Sequence, residues 1–457
     1  MSKLNVVILA AGAGKRMHST LPKVLHTLAG SPLLTHVMRT ARMLSPDKIC
    51  VVIGHGGDKI KQLMTKEDLI WIPQERQLGT GHALMQALPR LSTDGMTLVL
   101  YGDVPLVRIE TLQQLISAAE EKHCALLTAV VSDPFGYGRV LRDLKTGAAT
   151  AIVEQRDANE EQQKICEINT GIMLIPNRYL HQWLPKLENS NTQQEYYLTD
   201  IIAMAVKDGI HVATSQVKNL WEVMGVNNKR QLAELERVYQ KNRAEKLLDE
   251  GVGLLDPNRI DIRGELACGS DVEIDVNCIF EGIVRLGDFV RIGAHCLLRN
   301  VTVAAGSIIH PFSLIEDTEI GEDCKIGPYA RIRPGTRLAR KVHIGNFVEV
   351  KNSQIAAASK ANHLSYIGDS TIGENVNIGA GTITCNYDGA NKYRTIIEDD
   401  VFIGSDTQLI APVKISKGST IGAGSTITKE TPENQLTLSR SKQISITGWK
   451  RPQKSKS

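Results

Sequence analysis

A six-residue spacing of aliphatic side chains runs through the C-terminal half of the chain. Neither an amphipathic helix, with a period of about 3.6 residues, nor a half-buried strand, with a period of about 2, produces this pattern. A hexapeptide repeat does, and it predicts a parallel β-helix in which three strand-and-turn units close one triangular coil. The aliphatic residues return at Ile320, Ile326, Ile332, Leu338, Ile344 and Val350, and again at Ile397, Ile403, Leu409, Ile415, Ile421 and Ile427.

The N-terminal part of the chain alternates strand-like and helix-like segments instead. Continuous apolar runs that end in glycine, as at residues 5–11, are typical of parallel strands buried on both faces. The alternation predicts an α/β fold with a mostly parallel, Rossmann-like sheet. Further strands are expected at 49–54, 97–101 and 125–131, and helices at 79–88 and 109–122.

A charged segment at residues 228–250 separates the two patterns and predicts one long helix, with Asn228 at its start and Gly251 at its end. The predicted domains are therefore 1–227, a linker helix at 228–251, and a β-helix at 252–457. The β-helix is expected to begin near Val252 and to become more regular from Leu286.

Composition narrows the class of protein. Aromatic residues make up only 4% of the 457 residues, which suits the narrow interior of a β-helix. A net charge of +3 gives no reason to expect nucleic acid as a partner. The eight cysteines are scattered without a CxxC pair, which favours reduced thiols, and no apolar run approaches the length of a membrane span. A soluble, cytoplasmic protein without a membrane partner is expected.

Three stretches fall where predicted parallel strands end, which is where such sheets bind ligands. The first contains Gly12 and Gly14, which free the backbone to face a phosphate, and the cations Lys15, Arg16 and Lys23. It is not a Walker A loop, because the first glycine and the hydroxyl residue after the lysine are missing. A plain turn is the alternative to a phosphate site here.

The second stretch runs from Gln74 to His82, and the third contains Asp103. Gln74 can read the edge of a base, whereas Thr80 is either part of a binding loop or the N-cap of the following helix. A carboxylate after a buried strand, as at Asp103, suits Mg²⁺ held together with nucleotide phosphates, although turns use the same residue.

The hexapeptide spacing is interrupted at residues 378–397 and again at 361–366, and function is expected at these interruptions. His363 is the candidate general base, because the unperturbed pKa of histidine lies near working pH. A lone histidine is more often structural, but here the surrounding sequence supplies groups that suit a sugar phosphate: Arg333, Lys351, Tyr366, Asn377, Asn386, Tyr387 and Lys392.

Several motifs occur in a fixed order along the chain. LxxGxG with a following PK, then GTGHA, YGDxP, GYGR, EINTG and GVNN resemble the sugar-1-phosphate nucleotidylyltransferases. A hexapeptide β-helix follows these motifs. Together they resemble the bacterial family of bifunctional N-acetylglucosamine-1-phosphate uridylyltransferases and glucosamine-1-phosphate N-acetyltransferases over essentially the whole chain. The family's β-helix is left-handed, and its product, UDP-N-acetylglucosamine, feeds peptidoglycan and lipopolysaccharide synthesis.

The resemblance implies a first site that joins UTP to N-acetylglucosamine-1-phosphate and releases pyrophosphate. Mg²⁺ would be held by Asp103 and Asn227, and the sugar by Gly138, Glu154 and Asn169. The nucleotide would be bound by Leu9, Ala10, Ala11, Gly12, Lys23, Gln74, Gly79, Thr80, Tyr101, Gly102 and Asp103.

The resemblance also implies a second site that transfers the acetyl group of acetyl-CoA to glucosamine-1-phosphate, with His363 as the base. In the family this site is shared between the subunits of a homotrimer. Arg333 and Lys351 would clamp the sugar phosphate, while Tyr366 and Asn377 orient the sugar. Asn386 and Tyr387 would help to orient the sugar and would also bind acetyl-CoA, together with Ala380, Ser405, Ala423 and Arg440.

Two positions depart from the family's pattern: Lys15 stands where a threonine is usual, and Met224 where an acidic residue is usual. Three other functions are compatible with parts of the sequence. They are a nucleotidylyltransferase whose β-helix only oligomerises, a zinc hydratase using His295, His310, His343 or His363, and a trimerising scaffold without activity. The wide spacing of these histidines disfavours zinc, and the ordered N-terminal motifs disfavour a scaffold.

Overall fold

The computed structural model describes residues 3–64, 68–120 and 123–454. The chain divides into two compact units, Met1–Tyr239 and Gln240–Ser457. The predicted α/β and β-helical architectures are both confirmed, one in each unit. No helix among the described residues is long and apolar enough to cross a membrane.

The first unit is built on one sheet with the strand order β11-β7-β10-β6-β1-β4-β5 and a β8–β9 hairpin attached through β10. All neighbours in this order pair in parallel except β10, which runs antiparallel to β6 and β7. Its strands are Leu4–Ala10 (β1), Lys48–Ile53 (β4), Ile70–Pro73 (β5), Met96–Tyr101 (β6), Cys124–Val130 (β7), Arg139–Arg142 (β8), Ala149–Val153 (β9), Glu167–Pro176 (β10) and Val212–Gln216 (β11), beside a small hairpin of Thr27–Leu28 (β2) and Ser31–Pro32 (β3).

Helices cover both faces of this sheet. Along β1, Val6, Ile8 and Ala10 point into one core while Val7 and Leu9 point into the other, which explains its uninterrupted apolar sequence. The predicted helix at 109–122 ends at Ala118, and residues 121–122 lie outside the described part. The helices are Leu33–Met43 (α1), Gly57–Leu63 (α2), Thr80–Ala87 (α3), Ile109–Ala118 (α4), Glu160–Gln163 (α5), Asn177–Trp183 (α6) and Asp200–Lys207 (α7).

The predicted linker helix is observed at Lys229–Asp249 (α8). Its first part packs within the first unit, where Leu235 joins a core cluster with Met17 and Leu33. Its last part packs within the second unit, where Ala244 and Leu247 join the β-helix core. The domain limits at 227 and 251 remain a prediction, because the compact units divide inside the helix.

The second unit is a three-faced parallel coil, and we call its faces 1, 2 and 3. Each turn advances 17 or 18 residues, as in the pairing of His343 with Lys325 and with Lys360. Face 1 consists of Gly253–Leu254 (β12), Glu273–Ile274 (β14), Arg291–Ile292 (β16), Ile308–Ile309 (β18), Lys325–Ile326 (β20), His343–Asn346 (β23), Lys360–His363 (β26), Asn377–Ile378 (β29), Phe402–Ile403 (β32), Thr420–Ile421 (β35) and Leu436–Thr437 (β37).

Faces 2 and 3 separate only after the first coils. The early strands Ile260–Cys268 (β13), Cys278–Leu286 (β15), Leu297–Val303 (β17) and Leu314–Ile320 (β19) are continuous across both faces, so regular units begin at Ile320 and the expectation of Leu286 was wrong. Face 2 then holds Arg331–Ile332 (β21), Glu349–Lys351 (β24), Tyr366–Gly368 (β27), Ile383–Cys385 (β30), Gln408–Ile410 (β33) and Thr426–Ile427 (β36). Face 3 holds Arg337–Leu338 (β22), Gln354–Ile355 (β25), Ser370–Ile372 (β28), Thr395–Ile397 (β31) and Val413–Ile415 (β34).

The corners of the coil require left-handed backbone. At the corner between faces 2 and 3, Asn300, Asp317, Asn352 and Asp369 have φ between 45° and 51°. Asn and Asp tolerate this conformation better than other residues with a Cβ. Their side chains also pair from coil to coil, as Asn300 Nδ2 donates to Asp317 Oδ1 at 2.9 Å. We call this line of corner residues beside face 2 (Asn300, Asp317, Asn352 and Asp369) the rail.

Two candidate active sites

A cavity of about 380 Å³ opens at the carboxyl ends of β1, β5 and β6. Parallel strands place their ends at one edge of the sheet, so the three sequence stretches meet there. Of the predicted nucleotide-site residues, those that line this cavity are Leu9, Ala10, Ala11, Gly12, Lys23, Gln74, Gly79, Thr80, Tyr101 and Asp103.

The glycine loop after β1 lies against the lysine that follows it. Gly14 has a φ of 62°, and a Cβ at this position would lie 2.8 Å from the Cβ of Lys23. Gly12 faces open space, with no atom within 4 Å of an added Cβ. The loop therefore combines a tight turn at Gly14 with an open backbone at Gly12, as a phosphate site needs.

Gln74 is buried and already oriented. Its Nε2 donates to the carbonyl of Gly79 at 3.2 Å and to Nδ1 of His82 at 3.0 Å. Burial lowers the pKa of His82, which favours the neutral ring that can accept this bond. The Oε1 atom of Gln74 remains able to accept a hydrogen bond from a ligand in the cavity.

The Gly79–Thr80 step begins α3, and the alternative that Thr80 is the N-cap is wrong. The N-cap is Gly79, and the Thr80 hydroxyl accepts a bond from the Leu198 amide at 3.2 Å. A Cβ on Gly79 would lie 2.7 Å from the carbonyl of Tyr196, and its φ is 106°. Glycine is therefore needed here for both conformation and space.

The candidate metal ligands converge on one ammonium group. Lys23 Nζ forms an ion pair with Asp103 Oδ2 and donates to Asn227 Oδ1 at 3.3 Å. Arg16 Nη2 donates to the same Asn227 oxygen at 3.0 Å. The backbone supports the arrangement, because the Val226 amide bonds the Asp103 carbonyl at 2.9 Å. One carboxylate oxygen and one amide oxygen thus face a common cationic position, and this donor set fits Mg²⁺.

The predicted sugar-binding residues form a second group beside Tyr101. The Asn169 amide donates to the Gly138 carbonyl at 2.8 Å, and a Cβ on Gly138 would lie 3.3 Å from both carboxylate oxygens of Glu154. Burial raises the pKa of Glu154, although a hydrogen bond from Thr199 opposes this. Burial, followed by the charges of Glu154 and Asp103, likewise raises the pKa of the Tyr101 phenol. The two groups of residues therefore meet at Tyr101.

Some cavity residues were not predicted. Gln77 belongs to the same glutamine-rich stretch as Gln74, and that stretch could have revealed it. Glu195 comes from the segment before α7, which carries no local signal, and only the fold brings it to the cavity. Lys15 lines a neighbouring cavity instead, together with His55 and Lys61. Met224 packs beside the apolar cluster that contains Val226.

In the second unit, the predicted phosphate-binding residues lie one above the other beside face 2. The Arg333 amide bonds the Val350 carbonyl, and Arg333 Nη1 forms an ion pair with Glu349 at 2.7 Å. Contact with Lys392 lowers the pKa of Lys351, and Arg333 adds to this effect. Three cations thus gather around this part of face 2. Asn377 lies on face 1, so a single chain does not bring it into this group.

His363 is exposed at the end of β26, where its ring is held by one hydrogen bond. Its Nδ1 lies 2.8 Å from the side-chain oxygen of Asn346, one coil earlier. Because that oxygen can only accept, Nδ1 must carry the proton, and Nε2 is left as the basic nitrogen. Asn346 was not predicted, although its place one coil before His363 follows from the repeat.

The interruption at 384–395 is an ordered hairpin-like loop. Successive coils place Thr395 25 residues after Ser370, whereas Val413 follows Thr395 by 18. Asp388 Oδ1 accepts from the amides of Ala390 and Asn391 at 2.8 and 2.7 Å and so closes the turn. The loop presents Tyr387, which is exposed, and Asn386, which is buried.

The predicted coenzyme residues follow the corner between faces 1 and 2. Ala380, Ser405 and Ala423 occupy equivalent positions in successive coils, as the pairings of β29, β32 and β35 show. The backbone carbonyls of Ala380 and Ser405 accept hydrogen bonds from amides of the following coil. The Ala423 carbonyl accepts from Arg440 Nη1 at 2.8 Å. Small side chains in this line leave the corner accessible along its length.

Among the described residues, no group of three or more His, Cys, Asp or Glu could hold a metal ion. His295 stacks on Phe312 with ring centroids 4.9 Å apart, and His363 is bound to Asn346. The zinc hydratase alternative therefore has no support from the geometry of the histidines.

Three ranges of the chain match models of known protein families. The profile of the MobA-like NTP transferase domain matches residues 6–254, that of the GMPPB C-terminal domain residues 262–345, and that of the bacterial transferase hexapeptide repeats residues 394–429. The bifunctional protein GlmU of Nitrosospira multiformis is 67% identical over 454 residues, which cover 99% of both chains. Those of Nitrosomonas eutropha and Ralstonia nicotianae are 64% and 60% identical, over 100% and 99% of both chains. The chain therefore belongs to the family of bifunctional GlmU proteins and is a bifunctional uridylyltransferase and acetyltransferase of UDP-N-acetylglucosamine biosynthesis.

Proposed function

We propose that the cavity at the end of β1, β5 and β6 binds UTP and is the uridylyltransferase site. The observation that carries this proposal is the convergence of Lys23, Asp103 and Asn227 on one point beside the glycine loop. Gln74 accepts from the uracil, and the open backbone around Gly12 meets the phosphates. N-acetylglucosamine-1-phosphate binds on the far side of Tyr101, at Gly138, Glu154 and Asn169.

Asp103 and Asn227 would hold Mg²⁺ through one carboxylate oxygen and one amide oxygen. The ion would supply positive charge that offsets the phosphates and favours departure of pyrophosphate. Lys23 then exchanges its two oxygen partners for phosphate oxygens. This exchange is feasible because the side chain of Lys23 already lies between the two candidate ligands.

The chemical step is an in-line displacement. A phosphate oxygen of the sugar forms a bond to the α-phosphorus of UTP, the bond from that phosphorus to the bridging oxygen breaks, and pyrophosphate leaves. Such a transfer depends on positioning and charge neutralisation and needs no nucleophile from the protein. Lys23 and Arg16 supply positive charge, while Glu154 and Asn169 fix the sugar.

The acetyltransferase site is proposed at His363. Arg333 and Lys351 clamp the phosphate of glucosamine-1-phosphate, while Tyr366 and Asn377 orient its sugar. The coenzyme lies along the face 1–2 corner against Ala380, Ser405, Ala423 and Arg440. Asn386 and Tyr387 act where sugar and thioester meet. Nε2 of His363 accepts a proton as the amine attacks the thioester carbonyl, and coenzyme A leaves as the thiol.

We expect Asn346 to fix the tautomer of His363. Asn346→Leu removes the acceptor and should lower kcat for acetyl transfer about tenfold or more, because Nε2 is no longer held as the base. Asn346→Asp keeps an acceptor and should retain activity. Its acidic pH limb should move to higher pH, because the added carboxylate stabilises the imidazolium. A pH profile of kcat/KM for each variant checks this, and equal loss in both variants would contradict the tautomer role.

A homotrimer is also proposed. His363 and Tyr387 are exposed in the single chain, and Asn377 is separated from Arg333 and Lys351. A neighbouring β-helix packed against this chain would enclose them and complete the site. Native mass spectrometry should give three chains per particle. A monomer that retained full acetyltransferase activity would contradict the shared site.

A cytoplasmic location fits both proposed reactions and the eight cysteines, all of which are free. No partner beyond the small-molecule substrates and further copies of the chain is proposed.

Two assays on one preparation test both halves. One follows pyrophosphate released from UTP and N-acetylglucosamine-1-phosphate, and the other follows thiol released from acetyl-CoA and glucosamine-1-phosphate. Chelation with EDTA should stop pyrophosphate release, and added Mg²⁺ should restore it, because without the ion the negatively charged phosphates would face the Asp103 carboxylate with less charge to offset them. Thiol release should continue in EDTA, since the acetyltransferase residues include no metal ligand. Pyrophosphate release that persists in EDTA would contradict the metal assignment, and absence of thiol release without chelator would contradict the acetyltransferase.

A further inference from the structure

Asp369 is a buried acid that no predicted role accounts for. It lies at the corner between faces 2 and 3, with 7% of its surface exposed and a left-handed backbone at φ 48°. It continues the rail of Asn300, Asp317 and Asn352. At the level of Asp369 the inserted loop replaces the regular coil, so this residue stands where the rail meets the loop.

Asp369 contacts both ends of that loop. Its Oδ2 accepts a short hydrogen bond from Asn386 Nδ2 at the start of the loop. Its carbonyl accepts from the Thr395 amide, at the end of the loop, at 3.2 Å. Its Oδ1 accepts from Asn352 Nδ2, so the same carboxylate is anchored to the coil before it. Asp369 therefore holds the start of the loop through its side chain and the end of the loop through its main chain.

The carboxylate also decides which way Asn386 points. Burial disfavours its ionised form, but the hydrogen bonds from Asn352 and Asn386 and the charges of Lys351 and Lys392 outweigh burial, so the pKa of Asp369 lies below its usual value. An ionised carboxylate only accepts hydrogen bonds, so Asn386 must present its amide nitrogen to Asp369. The Asn386 side-chain oxygen is then left to accept from an N–H group of a ligand.

We propose that Asp369 is a positioning residue for acetyl transfer, which closes the 384–395 loop and fixes the amide of Asn386 with its oxygen as the acceptor. This inference rests on the proposed acetyltransferase site. The amine of the sugar is the N–H donor that such an oxygen would meet. The charges of Lys351 and Lys392 act on the same carboxylate, so Asp369 also offsets part of the positive charge that receives the sugar phosphate.

The test compares Asp369→Asn with Asp317→Asn. Asp317 is a corner residue of the same rail, three coils earlier, and accepts from Asn300, but it touches no loop. Asp317→Asn therefore reports the loss of a corner contact alone. Two readouts are taken from each protein: the rates of both reactions, and the rate at which trypsin cuts after Lys392 or Arg394, identified by mass spectrometry.

Asp369→Asn should lower kcat for acetyl transfer about 10- to 100-fold, because Asn386 loses its fixed orientation. The KM for glucosamine-1-phosphate should stay the same or fall, since removing a negative charge strengthens the attraction for phosphate. In the same variant, cleavage within the loop should become about tenfold faster, whereas pyrophosphate release should match the wild type. The control Asp317→Asn should match the wild type in both reaction rates and in its rate of loop cleavage.

Loop cleavage and acetyl transfer at wild-type rates in Asp369→Asn would overturn the inference. Faster cleavage with a higher KM and an unchanged kcat would overturn the orienting role as well. If the wild-type protein itself released no thiol, the proposed acetyltransferase site would fail, while the cleavage comparison would still decide whether Asp369 closes the loop.

Discussion

Replacing His363 with alanine should lower kcat for acetyl transfer by about 10²- to 10⁴-fold and leave uridylyl transfer unchanged. In the proposed acetyltransferase site the imidazole accepts the proton of the attacking amine through Nε2, because its Nδ1 is bonded to Asn346. Without the imidazole, water must take the proton. Substrate binding should stay largely intact. The loss should therefore appear in kcat, measured as thiol released from acetyl-CoA, rather than in KM.

His295→Asn is the matched control. His295 is another exposed histidine of the β-helix, four coils earlier on the corner that follows face 1, and asparagine tolerates its left-handed φ of 60°. This control should keep both activities. Equal loss of thiol release in both variants would point to a disturbed coil rather than a missing base. A fully active His363→Ala would contradict the assigned chemistry.

Asp103→Asn should lower uridylyl transfer by about 10³-fold and leave acetyl transfer unchanged. The substitution keeps the size of the side chain but removes the charged one of the two ligands proposed for Mg²⁺, and a loss of several kcal/mol corresponds to that factor. It also frees Lys23, which loses its ion-pair partner. Pyrophosphate release at increasing Mg²⁺ measures the effect, and the Mg²⁺ concentration needed for half activity should rise.

Asp94→Asn is the control for this substitution, because Asp94 is exposed in the turn that enters β6, whereas Asp103 follows the end of that strand. It should leave the Mg²⁺ dependence of the wild type unchanged. If Asp103→Asn changed the KM for UTP but not the Mg²⁺ dependence, Asp103 would bind the nucleotide and not the metal.

Sequence periodicity predicted both architectures because each leaves a local signature. A hexapeptide coil repeats one aliphatic residue per face, and a buried parallel strand is apolar throughout, as β1 is. The bounds of β4, β6, β7, α3 and α8 came within two residues of the prediction for the same reason. The continuous early strands such as β13 were missed, because a corner crossed without a break looks like two ordinary units.

Some site residues could be predicted from sequence motifs, whereas others are brought to the site only by the fold. Residues in ordered motifs, such as Gln74 and Asp103, were found from the sequence, and the fold gathers them in one cavity. The hydrogen-bond partners Asn346 and Asp369 were not predicted, because each contacts a residue one coil away and stands in no motif of the sequence. Glu195 was missed because only the packing of its segment on α3 brings it near the nucleotide cavity.

We propose that one chain carries two independent active sites that act in succession. Purified His363→Ala and Asp103→Asn proteins should each fail to convert glucosamine-1-phosphate, acetyl-CoA and UTP into UDP-N-acetylglucosamine. Mixed in one vessel, they should restore its formation, because the acetylated intermediate made by Asp103→Asn is free to reach the intact uridylyltransferase site of His363→Ala. Chromatography of the nucleotide sugar measures this directly, and a mixture as inactive as either variant alone would contradict the two-site account.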